Sequence, residues 1–477
     1  NAYIGDGSQL TNLPGGGNVL EATASGTLAD GSKVIVNADG TVSVVAPVET
    51  TGPGLGTPEV FHSTTTYYAS ATFDSTNNRV VITYQGNGYG RAVVGTVSGT
   101  SISFGTPVVF KSDSTTDISA TFDSSNGKIV VVYRDSGNSG RGTARVGTVS
   151  GTSISFGSES VFRYADSNTM SATFDSTNNK VVIAFRDQGN GGVGTAVVGT
   201  VSGTSISFGS YTAFESNQTE RISATFDSSN GKVVIAYNDS INQKGEAVVG
   251  TVSGTSISFG SSVQYNSNDS GFVSAVYDSA NQKVVIAYRD AGNSYYGTAI
   301  VGTVSGTSIS FGSEVLFKSG RADEISATYD STNGKVVITY SNPGNSDYGT
   351  LVVGTVSGTS ISFGSDTVFE SATTYFIGAT FDSSNGKVVI AYSDYGNSYY
   401  GTAIVFSNTG FSIPQIGSAE IFHSTSSNMH KSGATFDSTN GKVVIAYRDV
   451  GNSNSGTAVI GTVSGTSISF GTPVVFD

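Results

Sequence analysis

The stretch Val94–Gly105, VGTVSGTSISFG, recurs almost letter for letter down the chain, its glycine standing again at Gly147, Gly199, Gly250, Gly302, Gly354 and Gly461. A worn copy, VFSNTGFSIPQIG, covers Val405–Gly417, which makes eight copies. Apolar and polar residues alternate on both sides of the Ser98-Gly99-Thr100-Ser101 corner. That pattern predicts two antiparallel strands joined by a tight turn whose glycine accepts positive φ.

Outward from this hairpin, the Asp of a TFD, TYD or VYD element gives a ruler: Asp74, Asp123, Asp175, Asp227, Asp278, Asp330, Asp382 and Asp437. Successive intervals run from 49 (74 to 123) to 55 (382 to 437), so each unit of about fifty residues is one structural module. Four strands fit in it. In the second unit strand A is expected at 118–122, B at 128–134, C at 142–149 and D at 153–162. Strand B, KVVIAY in most units, is apolar on both faces, so both must be covered. A radial array of four-stranded blades does this, because every blade lies between two neighbours. The expected fold is therefore all-β, an eight-bladed β-propeller of roughly 52-residue repeats. An open β-solenoid is the alternative. A ninth VVF-type element, Pro58–Phe61, precedes the first unit, and Pro473–Phe476 at the other end is its expected partner in closing the ring.

Residues 1–54 lie outside the repeat and read as a connector: a Gly-rich opening, a short hairpin within 31–45 around Ala38-Asp39-Gly40, and a linker from Pro47 to Pro53. The propeller is expected over residues 55–477. A chain that begins with Asn reads as processed or as part of a longer polypeptide. The absence of cysteine removes disulfides and thiolate metal sites. A formal charge of −13 argues against nucleic acid and against an anionic membrane surface, and no apolar run suits a membrane helix.

Comparing the eight units with one another locates their variation. The D–A connection reads KSDSTTD, RYADSNT, ESNQTER, NSNDSGF, KSGRADE and ESATTYF in successive units, and the B–C connection varies as well. The A–B and C–D corners barely change. In an antiparallel meander the first two connections leave the sheet at one end and the last two at the other, so one face of the disc is diverse and the other monotonous. The diverse face is where a ligand is expected, although loop tips also drift freely. Ten tyrosines are expected there: Tyr67, Tyr68, Tyr89, Tyr295, Tyr296, Tyr348, Tyr375, Tyr395, Tyr399 and Tyr400. Aromatics with a hydroxyl suit stacking on sugar rings; packing over a neighbouring loop is the alternative.

Other constellations are weaker. Asp135, Asp187, Asp290, Asp394 and Asp449 each open an Asp-x-Gly-Asn loop that offers oxygen ligands to Ca²⁺, but with one carboxylate per loop and turn chemistry as the simpler reason. Arg134, Arg186, Arg289 and Arg448 suit structural ion pairs between blades. His62, His423 and His430 become neighbours if the termini meet, three ligands in search of a metal. No cofactor and no metal are expected, no catalytic triad or phosphate loop is present, and the loop acids Asp117, Glu220, Asp323 and Glu324 look scattered. An enzyme is not expected.

The opening GDGSQLTNLP resembles a segment that recurs in bacteriophage tail-fibre and virion-appendage proteins, GDGSxLTxL, through Gly5-Asp6-Gly7-Ser8, Leu10, Thr11 and Leu13. The resemblance implies an extracellular place on a virion or cell-surface appendage, with the N-terminal segment contacting other appendage proteins. Host-receptor or glycan binding by the diverse face is the expected function. The alternative is a structural virion or filament component making protein contacts.

Overall fold

The computed structural model describes residues 54–408 without a break, together with 34–36, 42–44 and, with short interruptions, 427–476. They fall into two compact units, 53–409 on the one hand and 1–52 with 410–477 on the other. Among the described residues there is no α-helix, only single 3₁₀ turns such as Ser136–Asn138, and no helix long and apolar enough to cross a membrane.

The first unit is a β-propeller. In its second blade strand A is Thr115–Asp123, B is Lys128–Asp135 and C is Arg141–Ser150, paired antiparallel in that order. Strand D comes in two pieces: Ser153–Phe156 pairs with the end of C, and the start of Ser160–Asp175 pairs with its beginning. Each B strand is fully buried; Val181, Val182, Ile183, Ala184 and Phe185 have no exposed surface. A Val or Ile buried in this way contributes about 1.5–3 kcal/mol, which is why strand B tolerates no polar face. An outer-strand aromatic of one blade meets a B-strand aromatic of the next, from Phe61–Tyr84 at 5.0 Å to Phe317–Tyr340 at 5.4 Å between centroids.

The ring closes after seven blades. The inner strands touch in a cycle, with Thr367–Asp382 returning to Glu59–Asp74. Tyr400–Ser407, strand C of the seventh blade, pairs with the N-terminal strand: Thr402 faces Val60, Ala403 faces Glu59, and Phe406 faces Leu55. Gly56 does for this blade what Gly105 does for the first. A Cβ at Gly56 would overlap the Thr100 carbonyl, as one at Gly105 would overlap that of Thr152.

Both the eight-bladed count and the expected meeting of Pro58–Phe61 with Pro473–Phe476 are corrected by this register. The physical reason is that residues 54–61 supply the outer strand of the seventh blade, paired along Tyr400–Ser407. The eighth repeat forms its own sheet in the other unit, Ser427–Asp437 pairing with Lys442–Asp449, then Ser455–Ser464, then Ser467–Phe470 and Val474–Val475. There Val443–Ala446 are partly exposed and Val474 and Val475 exposed. The hairpin near the N-terminus is present as Val34–Val36 paired with Val42–Val44. Its turn and the segment 5–13 lie outside the described residues.

Every ruler Asp of the seven blades is a turn cap. Asp123 Oδ1 accepts from the Ser125 and Asn126 backbone amides at 3.0 and 3.1 Å, and Oδ2 accepts from Asn126 Nδ2 at 2.8 Å. Cap and left-handed Gly127 (φ 61°) explain why the A–B corner repeats so faithfully.

Candidate functional site

The B–C and D–A connections share one end of every sheet: Asp135 ends B, Arg141 starts C, and both face the D–A crossing at Thr115 and Asp166. The crossing is not the free loop expected. In four places one strand of 16 residues, such as Ser160–Asp175, runs from the outer edge of one blade to the inner edge of the next. Its backbone is held on both sides, Ser167 N donating to Gly140 O at 2.9 Å and Ser167 facing Asp187. Because only backbone groups make these bonds, the side chains are free to differ.

At the inner end of each crossing the ladder is broken by a bulge, and the residue in it is left-handed without being glycine: Tyr68, Asp117, Thr169, Arg221, Phe272, Glu324 and Phe376, with φ between 43° and 55°. These seven stand at one position of the repeat, six residues before the ruler Asp (123 − 117 = 6, 330 − 324 = 6). They surround the axis; six of them, all but Glu324, line a pocket of about 250 Å³ together with the apolar residue that follows each of the seven. Asp117 and Glu324 are therefore equivalent positions and not scattered acids. So are Glu220 and Asp323, one residue off-register, which pair with Arg186 at 2.9 Å and Arg289 at 2.5 Å. Arg134 pairs with Asp166 at 2.7 Å.

From this pocket a line of aromatic rings runs outward over the seventh and first blades. Tyr68 and Tyr67 lie 5.2 and 5.5 Å from Phe376, Phe376 lies 6.4 Å from Tyr375, and Tyr375 is stacked at 6.4 Å and 18° on Tyr399, which meets Tyr395 edge-on at 4.8 Å. Tyr67, Tyr375, Tyr395 and Tyr399 are exposed. The structure thus brings together five of the ten expected tyrosines. Phe376 joins them and was missed because only hydroxylated rings were sought. Tyr89, Tyr295, Tyr296, Tyr348 and Tyr400 make no ring contact with this line among the described residues. Tyr295 lies under Arg289 and Arg321, Tyr89 under Arg91, and Tyr296, Tyr348 and Tyr400 are partly buried at the starts of C strands.

The remaining candidates have local work. Of the Asp-x-Gly-Asn carboxylates, Asp135 pairs with Lys111 at 2.8 Å and Asp187 with Arg163 at 2.9 Å, while Asp290, Asp394 and Asp449 accept backbone amides of their own turns. His62 Nε2 lies 2.6 Å from Thr64 Oγ1, and burial, then the nearby Arg91, holds its pKa below the ordinary histidine value. His423 lies outside the described residues and His430 belongs to the other unit. Glu215, Asp239 and Glu246 bring carboxylate oxygens within 4.8 Å of one another, but Lys244 pairs with Glu246 and the Tyr237 hydroxyl donates to Glu215 and Glu246.

No protein-family model and no curated protein matches the chain. Among solved structures it is similar to the BP39L lectin of Burkholderia pseudomallei, with a TM-score of 0.52 and 7% identity over 87% of this chain and 100% of that one. It is also similar to the Dos1 propeller, with a TM-score of 0.45 and 11% identity over 75% of this chain and 95% of that one. At these identities the likeness is one of fold.

Proposed function

We propose that the chain is a non-enzymatic surface-recognition module that binds carbohydrate through the diverse face of the propeller. The observation that carries this reading is the line of rings from Tyr395 to Tyr68: five tyrosines and Phe376, with Tyr67, Tyr375, Tyr395 and Tyr399 exposed, spaced so that successive sugar residues can each rest on a ring. That one of the solved structures with this fold is a lectin is in keeping with it. The resemblance of residues 5–13 to phage appendage segments favours an extracellular setting, a tail-fibre or similar head attaching to host-surface glycans, with the N-terminal segment meeting other appendage proteins.

A glycan array probed with the whole chain tests the reading, using Tyr375→Ala/Tyr399→Ala as the comparison. Loss of at least tenfold in signal for bound glycans is expected in the double variant, about the loss of one to two stacking contacts. An array without binders, or binders unaffected by the double variant, sinks it. The second reading, a structural virion or filament component, rests on the unburied Val474 and Val475 of the eighth repeat. It predicts concentration-dependent assembly in sedimentation and a blank array.

A further inference from the structure

The seven axial positions share one backbone geometry and almost no chemistry. A left-handed residue other than glycine carries a conformational penalty that glycine removes. This chain has 62 glycines and places them at the left-handed C–D corners, Gly99, Gly151 and Gly203 among them, while its B–C turns are left-handed at Ser139, Ser294 and Tyr399 as well as at glycines. At the axis it places none. The penalty is taken in all seven blades, by a β-branched Thr and by two Phe among others, at a position whose chemistry changes from blade to blade. Side chains kept against strain are side chains in use.

Their chemistry narrows what they hold. The pocket, about 250 Å³, lies below the 300–1,000 Å³ usual for drug-sized ligands, so it takes one ring and not a chain. Its depth is apolar: six of the residues after the left-handed ones are Ile, Val or Met and the seventh is Ala69. Its mouth carries both signs of charge. Asp117 Oδ1 is fixed by the Thr169 amide at 2.8 Å, which orients the carboxylate and leaves it acceptor capacity. Arg221 is exposed, lies 5.2 Å over the Phe272 ring and makes no direct salt bridge among the described residues, although its charge acts on Glu324. Thr169 Oγ1 is buried with no hydrogen bond. An anionic ligand meets Asp117, and a cationic one meets Arg221. A neutral polyol finds acceptors, a donor, aromatic faces and an apolar floor at once.

We propose that the axial pocket is a subsite for a single uncharged sugar residue, entering end-on from the diverse face, its hydroxyls bonded to Asp117 and Arg221 and its C–H face against the floor. The inference rests on the carbohydrate reading above and adds the residue class and the place of the chain end. The line of rings that begins at Tyr68 would then carry the following residues outward.

Calorimetric titration of the whole chain with methyl glycosides tests it. The neutral probes are the hexosides of glucose, galactose and mannose, the 6-deoxyhexoside of fucose, and N-acetylglucosaminide; the charged probes are methyl glucuronide and methyl glucosaminide. At least one neutral probe binds, more tightly than either charged one, and Arg221→Gln and Asp117→Asn each weaken it about tenfold, the loss of one charge-assisted hydrogen bond. Chemical-shift perturbation at the Ala69 and Met170 methyls by the same probe is an independent readout. A charged probe preferred over every neutral one, a neutral probe indifferent to both substitutions, or no probe bound overturns the axial subsite. In each of those cases array binding that still depends on Tyr375 and Tyr399 leaves the broader carbohydrate reading standing, whereas a blank array removes both.

Discussion

Thr169→Gly should make the protein more stable while weakening ligand binding. The native threonine sits at φ 43° and its hydroxyl is buried without a partner. Removing a β-branched side chain from that conformation returns about 1–2 kcal/mol, and removing the unbonded hydroxyl returns roughly 1–3 kcal/mol more. Against this stand about 0.5–1 kcal/mol for the freer unfolded chain that glycine brings and about 1 kcal/mol for the lost methyl. The Thr169 amide keeps its bond to Asp117, because that bond uses backbone. The balance is a gain of about 2 kcal/mol, roughly 3 °C in melting temperature for a domain of this size. Urea denaturation followed by tyrosine fluorescence reads it. A loss of 1 kcal/mol or more would mean that the side chain holds the ring together and that the axial strain argues nothing about function.

Three further outcomes are expected. The chain has no cysteine, so Val60→Cys/Thr402→Cys should form a disulfide on mild oxidation, since these residues face each other across the closing pair; formation instead by Val60→Cys/Thr457→Cys, the equivalent position of the eighth repeat, would restore the eight-bladed ring. Burial, opposed in part by the Phe376 amide, raises the Glu324 pKa above the ordinary carboxylate value. Its stabilising contribution is then complete below that ordinary value and lost as pH rises through the raised one. Glu324→Gln should accordingly gain on the native chain between pH 4 and 7 in melting temperature, and an advantage that shrinks with rising pH would contradict the sign. Asn126→Ala/Gly127→Ala removes the donor to Asp123 and puts a side chain at φ 61°; it should cost about 2 kcal/mol by denaturation and leave array binding unchanged.

The class of fold was legible because the B strands are apolar on both faces, and a single sheet cannot satisfy that. The closure was misread. Val60 resembles Val474 as closely as it does any outer-strand residue, and sequence similarity among outer strands does not say which blade a strand completes. Two signals pointed the right way: the decay of the seventh copy over 405–417, and the run Glu59-Val60-Phe61-His62-Ser63-Thr64, which recurs only as Glu420-Ile421-Phe422-His423-Ser424-Thr425 ahead of the eighth repeat. At the site, the tyrosines were visible by type but not by place. Tyr295 and Tyr399 hold the same position in their blades, yet only Tyr399 has tyrosine neighbours, Tyr375 and Tyr395 of its own blade, while Tyr295 meets Arg289 and Arg321. The axial residues were hidden by being treated as loop. Counted back from the ruler Asp they align in every blade, but their left-handed backbone follows from bulges that no residue type announces, since Tyr, Asp, Thr, Arg, Phe and Glu all occupy them.

The most direct test of carbohydrate binding on the diverse face is amide hydrogen exchange of the whole chain with and without the strongest glycan from the array. Slower exchange is predicted at 66–69, 374–377 and 395–400, with the opposite corners at 124–127 and 151–153 unchanged. Protection confined to those corners, or to the eighth repeat, would contradict it.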